Sequence, residues 1–351
     1  MSFPKLIQWS KAEFSALPWR SNRTLYRTLV SEIMLQQTTV GTVKNHFDRF
    51  LKRFPTIKTL ADASEEELLV AWKGLGYYRR ARSLKKIAEV IVHEYGGDFP
   101  QDSSRLQDIQ GIGPYTSQAL IAIGMDKRGL AVDANLERVI ARLFGLKLSK
   151  GPKLQKEIYR LFEEKKIFSS QKVSYRDLNE SLMDLGRTYC QARKASCELC
   201  PVSKECVARL EGEPLAYPRD NGTNTTSKIE HNLELLRIFI IKKDKLLVIK
   251  KQTSEWLAGQ YEVPTYIIST TDPQLTQYPR LNLKLNLKDV PTLKTGITKY
   301  KIKNHLYVTG IDFLKKLDSL HKFEWRDFED ENSNFSTATL KGLKKISSSL
   351  L

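Results

Sequence analysis

The sequence predicts two domains, an all-α N-terminal domain followed by a smaller α+β domain, on three observations. From about residue 24 to residue 210, apolar residues recur at helical spacing in segments separated by short Gly- or Pro-containing turns. Residues 211–229, EGEPLAYPRDNGTNTTSKI, lose that period and are dominated by Pro, Gly, Asn and Thr, so they read as a linker. Residues 230–351 then carry short runs rich in branched side chains, the pattern of strands. A chain of 351 residues is long enough for each part to build its own core.

Residues 24–36 place Leu25, Leu29, Ile33 and Gln36 along one helical face, and Val30 and Met34 widen the stripe. Similar patterns recur at 39–53, 65–73, 79–95, 103–109, 116–124 and 134–144. The turns between them include Phe54-Pro55, Gly74-Leu75-Gly76, Gly96-Gly97 and Gly111-Ile112-Gly113-Pro114. In the second domain Leu235–Ile241, Lys245–Ile249 and Leu306–Ile311 read as strands and 337–348 as a terminal helix, while 266–292 shows no usable period. No apolar run has membrane-spanning length, and the opening MSFPKLIQWSKAEF lacks the apolar stretch of a secretory signal; a cytoplasmic, bacterial-type protein is expected.

The formal net charge of +17 favours a polyanionic partner, usually nucleic acid. All four cysteines fall in 190–206, as Cys190-x6-Cys197-x2-Cys200-x5-Cys206. Four thiolates on one short loop can hold a cubane cluster, one per iron, or a structural zinc. Zinc sites commonly use two Cys-x-x-Cys pairs, and only one pair here is that tight, so the spacing favours iron–sulfur. In Leu106–Ser117, LQDIQGIGPYTS, Gly111 and Gly113 open a helix; such a turn exposes backbone N–H groups to a phosphate, and glycine permits close approach. A helix–helix turn with no ligand gives the same local pattern.

Hydrolysis of a glycosidic bond asks for a protonated carboxylic acid to help the leaving group and an ionised carboxylate to steady the cationic sugar. Glu32 lies in Ser31-Glu32-Ile33-Met34-Leu35-Gln36-Gln37-Thr38 and Asp133 in Ala131-Val132-Asp133-Ala134-Asn135-Leu136. In isolation Glu32 reads as a solvated helical charge and Asp133 as a helix N-cap. Together with the Gly-x-Gly hairpin and the cysteine loop, these runs resemble the MutY-type adenine DNA glycosylases of the endonuclease III-like helix-hairpin-helix superfamily. The resemblance is nearly continuous from Leu17 to Cys206.

That resemblance implies a helical glycosylase domain over 1–210, with its helix-hairpin-helix at 106–117 and an iron–sulfur loop at 190–206. One 4Fe-4S cluster, held by Cys190, Cys197, Cys200 and Cys206, is the implied cofactor, with no nucleotide cofactor; its loop presents Arg187, Arg193 and Lys194 to DNA. Glu32 is implied to protonate adenine at N7 and Asp133 to stabilise the cationic intermediate; Ala134 stands where relatives commonly have glycine. Tyr115 occupies the position of a Schiff-base lysine in members that also nick the strand, and a phenol cannot form that base, so a monofunctional enzyme is implied. Tyr77 is implied to enter the stack beside the lesion, Gln36 and Thr38 to read the opposite base, and Trp19 and Glu180 to line the adenine pocket.

In the second domain Trp256-Leu257-Ala258-Gly259-Gln260-Tyr261-Glu262-Val263-Pro264 resembles the signature of the MutT/Nudix-like lesion-recognition domain of these enzymes, without the glutamate-rich helix that would hold magnesium for pyrophosphate hydrolysis. Lys303-Asn304-His305 stands where relatives have Phe-Ser-His, which implies lesion contacts from Asn304 and His305. The implied substrate is double-stranded DNA with adenine opposite 8-oxoguanine or guanine. The protein is expected to act as a monomer in base excision repair at the nucleoid, with no membrane partner.

Overall fold

The computed structural model describes residues 3–164, 167, 174–219, 230–317, 322–330 and 333–348. The chain divides into two compact units, residues 1–63 with 79–223, and residues 64–78 with 224–351. The first is helical: α1 (Phe3–Phe14), α2 (Leu25–Leu35), α3 (Val40–Arg53) and α4 (Ile57–Ala61) precede the excursion into the other unit, whose residues 64–78 carry α5 (Glu65–Ala71). Then follow α6 (Arg79–Tyr95), α7 (Ser103–Asp108), α8 (Pro114–Ala119), α9 (Ala134–Phe144), α10 (Pro152–Glu163), α11 (Tyr175–Thr188) and α12 (Val207–Leu210). Among the described residues no helix is long and apolar enough to cross a membrane.

Capping explains where these helices begin. Thr24, Thr39, Asp102 and Ser174 each accept a backbone N–H three residues on, at the starts of α2, α3, α7 and α11. Each such cap is worth about 1 kcal/mol. α2 is buried almost all round: Leu29, Val30, Ile33 and Met34 are fully or nearly fully enclosed, and Ser31 and Glu32 are carried inward with them. α8 runs on into a single π-helical turn, Leu120–Gly124, a distortion that often marks a functional region. α9 buries Leu136, Val139, Ile140 and Leu143 in a core shared with Leu178, Leu182 and Leu185 of α11.

Residues 211–219 are not linker. Arg142 Nε donates to the carbonyl of Tyr217 at 3.0 Å, Tyr217 is 3% exposed, and the amide of Arg219 donates to the carbonyl of Leu148 at 3.0 Å. Their Pro- and Gly-rich composition hides a segment pinned by a buried arginine from α9. The rest of the expected linker, 220–229, lies outside the described residues.

The second unit contains two sheets. The first has strand order β5-β1-β7-β6, with β1 (His231–Phe239) parallel to β7 (Tyr300–Val308), and β5 (Thr265–Thr270) and β6 (Thr292–Ile297) antiparallel at the edges. The second joins β2 (Ile241–Lys242), β3 (Lys245–Lys250) and β4 (Tyr261–Glu262), with β8 (Glu324–Asp327) paired to β3. α13 (Thr337–Ser347) packs Ile346 into a core with Phe239, Leu246, Val248 and Leu306. The expected strand Leu306–Ile311 is in fact the end of the longer β7, and Ile311 opens a 3₁₀ turn. Lysines at 301 and 303 break the apolar run, yet they alternate with buried Tyr300, Ile302 and Asn304 as a half-buried strand requires.

Candidate active site

The helical unit holds a cleft of about 840 Å³ whose lining includes Glu32, Asp133, Tyr115, Trp19, Glu180, Gln36 and Thr38. Eight of the residues singled out in the sequence, these seven and Arg187, therefore share one site, from five stretches of chain. α2 carries Glu32 into it, 5% exposed. The Tyr115 hydroxyl, from the first turn of α8, donates to Glu32 Oε2 at 2.7 Å. Burial pushes the Glu32 carboxyl up to about 7; the tyrosine hydrogen bond opposes this, and the charges of Glu180 and Asp133 add to it. Burial, then the facing carboxylates, holds the Tyr115 phenol well above its ordinary range, so it stays a donor.

Asp133 is the N-cap of α9. Its Oδ1 accepts the amides of Asn135 and Leu136 at 2.9 and 2.8 Å, and its Oδ2 accepts Asn135 Nδ2 at 2.9 Å. Capping and a catalytic role are compatible: the bonds fix the carboxylate at the mouth of the cleft at a helix N-terminus, where negative charge is favoured. Trp19 is 8% exposed and meets Phe47 edge to face, with centroids 5.8 Å apart.

The opposite wall is α11. Glu180 is gripped by Arg23 through Nη1 and Nη2 at 2.5 and 2.9 Å, with Arg20 Nε 3.4 Å away. One turn on, Asp184 accepts Ser10 Oγ at 2.5 Å, Arg20 Nη1 at 2.9 Å and Arg187 Nε at 3.1 Å. Arg187 also lies over the ring of Phe14, 4.0 Å from its centroid. Sequence reasoning missed Asp184 and Arg23. The available signal was the spacing of Glu180, Asp184 and Arg187, which puts three charges on one face of a helix whose other face is also buried.

Of the expected DNA contacts, Gly111 has φ +106°, and a Cβ there would stand 2.5 Å from Ser83 Oγ, so glycine is required on both counts. Gly113 is the N-cap of α8 with open space beside it. Tyr77 belongs to the other unit, outside the cleft lining; it is 59% exposed at φ +46°, just after Gly76. Arg193 and Lys194 are exposed.

Asn304 corrects an expectation. It lies on the core face of β7 and is 0% exposed, so it has no surface for a lesion. Its Oδ1 accepts Arg237 Nε at 2.6 Å, and its Nδ2 donates to the Leu293 carbonyl and Thr295 Oγ1 at 2.8 and 2.9 Å. The amide is spent inside the sheet. His305, on the opposite face and 6% exposed, has Nε2 3.1 Å from Glu234 Oε2, and Lys303 Nζ is 3.7 Å from the other oxygen of that carboxylate.

Cys190, Cys197, Cys200 and Cys206 are free thiols lining one small cavity with Arg142 and Arg209. Arg138 and Arg142 of α9 hold its entrance strand through the carbonyls of Cys190 and Gln191 at 2.8 Å each, and Arg142 Nη1 reaches Cys190 Sγ at 3.3 Å. Burial pushes the Cys200 thiol up to about 12 and raises Cys197 and Cys206 as well, with neighbouring cysteine charges adding. Among the described residues no three such side chains are placed to hold one metal ion. Four thiols lining one cavity are the donor set that the expected cluster would take, one cysteine per iron.

Residues 30–166 match the HhH-GPD superfamily of base excision DNA repair proteins. The chain is 34% identical over 241 residues to an adenine DNA glycosylase of Buchnera aphidicola from Acyrthosiphon pisum, covering 68% of this chain and 66% of that one. It is 31% identical to the adenine DNA glycosylase of Buchnera aphidicola from Baizongia pistaciae, covering 67% of each. The match thus spans just under two thirds of the first relative's length. Among solved structures it is similar to a thermostable thymine-DNA glycosylase at 30% identity and a TM-score of 0.52, covering 60% of this chain and 95% of that one. With the helical unit, hairpin and cleft already in place, these likenesses establish that the chain belongs to the adenine DNA glycosylase family within the HhH-GPD superfamily.

Proposed function

We propose that the protein is a monofunctional DNA glycosylase that removes adenine mispaired with 8-oxoguanine or guanine in double-stranded DNA and leaves an abasic site. The observation that carries this is Glu32, a buried carboxyl held near neutrality beside Tyr115 in a cleft that also presents Asp133. With a pKa of about 7, half of Glu32 is protonated at pH 7; at an ordinary 4.5, roughly 1 in 300 would be.

In the reaction, Glu32 gives its proton to N7 of the flipped adenine as the C1′–N9 bond breaks, and the bonding electrons leave with the base. The Asp133 carboxylate, fixed by its capping bonds, faces the positive charge that develops on the sugar. Water adds to C1′ and gives up a proton to the Glu32 carboxylate, which restores the acid. Tyr115 donates to one oxygen of Glu32 and leaves the other for the proton. With no lysine at that position the abasic site is released without a covalent sugar intermediate. A 4Fe-4S cluster on the four cysteines would brace the loop that carries Arg193 and Lys194. Residues 230–351, taken as a MutT-like domain, read the partner base with Lys303 and His305 in place of the Asn304 amide. The protein works as a monomer on chromosomal DNA.

The similarity to a thymine-DNA glycosylase makes thymine in DNA the competing substrate. Single-turnover base release from duplexes with A opposite 8-oxoguanine, G or T, and with T opposite G, decides between them. Adenine release fastest opposite 8-oxoguanine is expected; release of thymine alone would overturn the assignment.

A further inference from the structure

We propose that Arg80 is a positioning residue that clamps the loop Gln36–Thr38 in the cleft wall and thereby sets discrimination between partner bases. The second half rests on the proposed function and on the family resemblance that implies a reading of the opposite base by Gln36 and Thr38.

The observation is a single guanidinium with four partners on one short stretch of chain. Arg80 Nη1 donates to the carbonyls of Ile33, Met34 and Gln36 at 2.9, 2.8 and 2.5 Å, and Nη2 donates to Thr38 Oγ1 at 2.9 Å. The carbonyls of Ile33 and Met34 belong to the last turn of α2, where a helix leaves acceptors without internal partners and favours a cation. The chain then leaves the helix at Gln36, and Gln37 adopts φ +57°, a conformation uncommon for a residue with a side chain. Across the loop itself the Thr38 amide donates to the Leu35 carbonyl at 3.3 Å. A left-handed glutamine persists where its surroundings over-determine it, and here Arg80 supplies contacts on both sides of it. Gln36, Gln37 and Thr38 all line the cleft. The three carbonyls converge on Nη1 and share its two hydrogens while Nη2 reaches Thr38; a lysine would keep the charge, but its ammonium, a single point donor on a shorter stem, cannot hold the carbonyls and the hydroxyl at once.

The test is Arg80→Lys in the full-length protein, with Thr38→Val as a milder variant that removes only the Nη2 contact and Gln36→Ala as a comparator. Hydrogen exchange of the amides at 36–40, read without DNA, should speed at least tenfold in Arg80→Lys while the core of α2 keeps its protection. The ratio of single-turnover rates opposite 8-oxoguanine and opposite T should fall about tenfold. The pH at which release declines, set by Glu32, should stay where it is; a purely structural cap would lower all rates together and leave the ratio intact. Unchanged exchange overturns the clamp. An unchanged ratio in Arg80→Lys, while Gln36→Ala lowers it, overturns the link to discrimination. No change in ratio for Gln36→Ala and Thr38→Val overturns the reading of the loop itself, and with it that link, even where faster exchange upholds the clamp.

Discussion

Glu262 of the sheet unit and Glu32 of the helical unit are both buried, and they are buried differently. Glu262 in the sheet unit is 1% exposed and fully answered: Arg237 Nη1 stands 2.6 Å from one oxygen and the Tyr278 hydroxyl donates to the other at 3.0 Å. Glu32 in the helical unit is 5% exposed, receives one phenolic hydrogen bond, and shares its cleft with two further carboxylates that raise its proton affinity. A carboxyl matched by a cation and a phenol inside a sheet serves the fold. A carboxyl buried against like charge in an open cleft has its proton affinity raised, an arrangement that costs stability and fits the acid role proposed for Glu32.

The largest expected effect tests that use. Glu32→Gln removes the proton donor without changing shape and should lower single-turnover adenine release by about 10²–10⁴-fold, the usual worth of a general acid. A variant that released adenine at the wild-type rate would erase the distinction between the two glutamates. The next effect is on stability. Glu262→Ala leaves Arg237 buried without its partner and should cost about 3–5 kcal/mol in urea unfolding of the intact protein. Replacing Arg237 and Glu262 together by methionine and leucine should cost far less. Equal losses in the single and double variants would mean that the ion pair is not what holds this part of the fold.

The same comparison shows what the sequence could reveal. The proposed catalytic stretches were legible because each is contiguous: Ser31–Thr38 covers the end of α2 and the loop after it, and Ala131–Leu136 the cap and first turn of α9. Arg23 and Arg80 act across the fold, at chain separations of 157 residues for Arg23 with Glu180 and 44 for Arg80 with Gln36, and no local pattern announces such pairs. Asn304 was misread for a related reason. A motif position suggested a contact with the lesion, but strand alternation from Tyr300 to Val308 puts it on the core face, and Arg237 takes up its oxygen. The linker was misread because composition reports flexibility, whereas the buried Arg142 fixes Tyr217 through a backbone carbonyl that composition cannot see.

A third prediction concerns stability and pH. Glu32 binds its proton more tightly in the folded protein, at about 7, than at the ordinary 4.5 of an unfolded chain. Its contribution to stability is therefore full below pH 4.5 and is lost as pH rises through 7. The resulting cost at pH 8 is roughly 3 kcal/mol. Glu32→Gln should thus be more stable than wild type by about that amount at pH 8 and equal to it near pH 4, measured by urea unfolding at both values. Equal stability at both would mean that the carboxyl is better solvated than its burial implies.

The smallest expected effect separates the charge of Glu180 from its hydrogen bonds. Burial is the main reason for the raised proton affinity of Glu32, and Glu180 adds to it through charge. Glu180→Gln can still accept from Arg23 but no longer offsets its charge, so Arg20 and Arg23 are left as excess positive charge beside the cleft. Both changes favour ionised Glu32. The pH at which adenine release falls off should move down by less than about one unit, with the rate at low pH kept. Arg23→Gln should move the same limb upward, because it leaves the Glu180 charge less compensated. Opposite displacements in these two variants would locate the effect in electrostatics. A fall in rate at every pH with the limb unmoved would instead make Glu180 a residue that shapes the pocket, closer in kind to Glu262 than to Glu32.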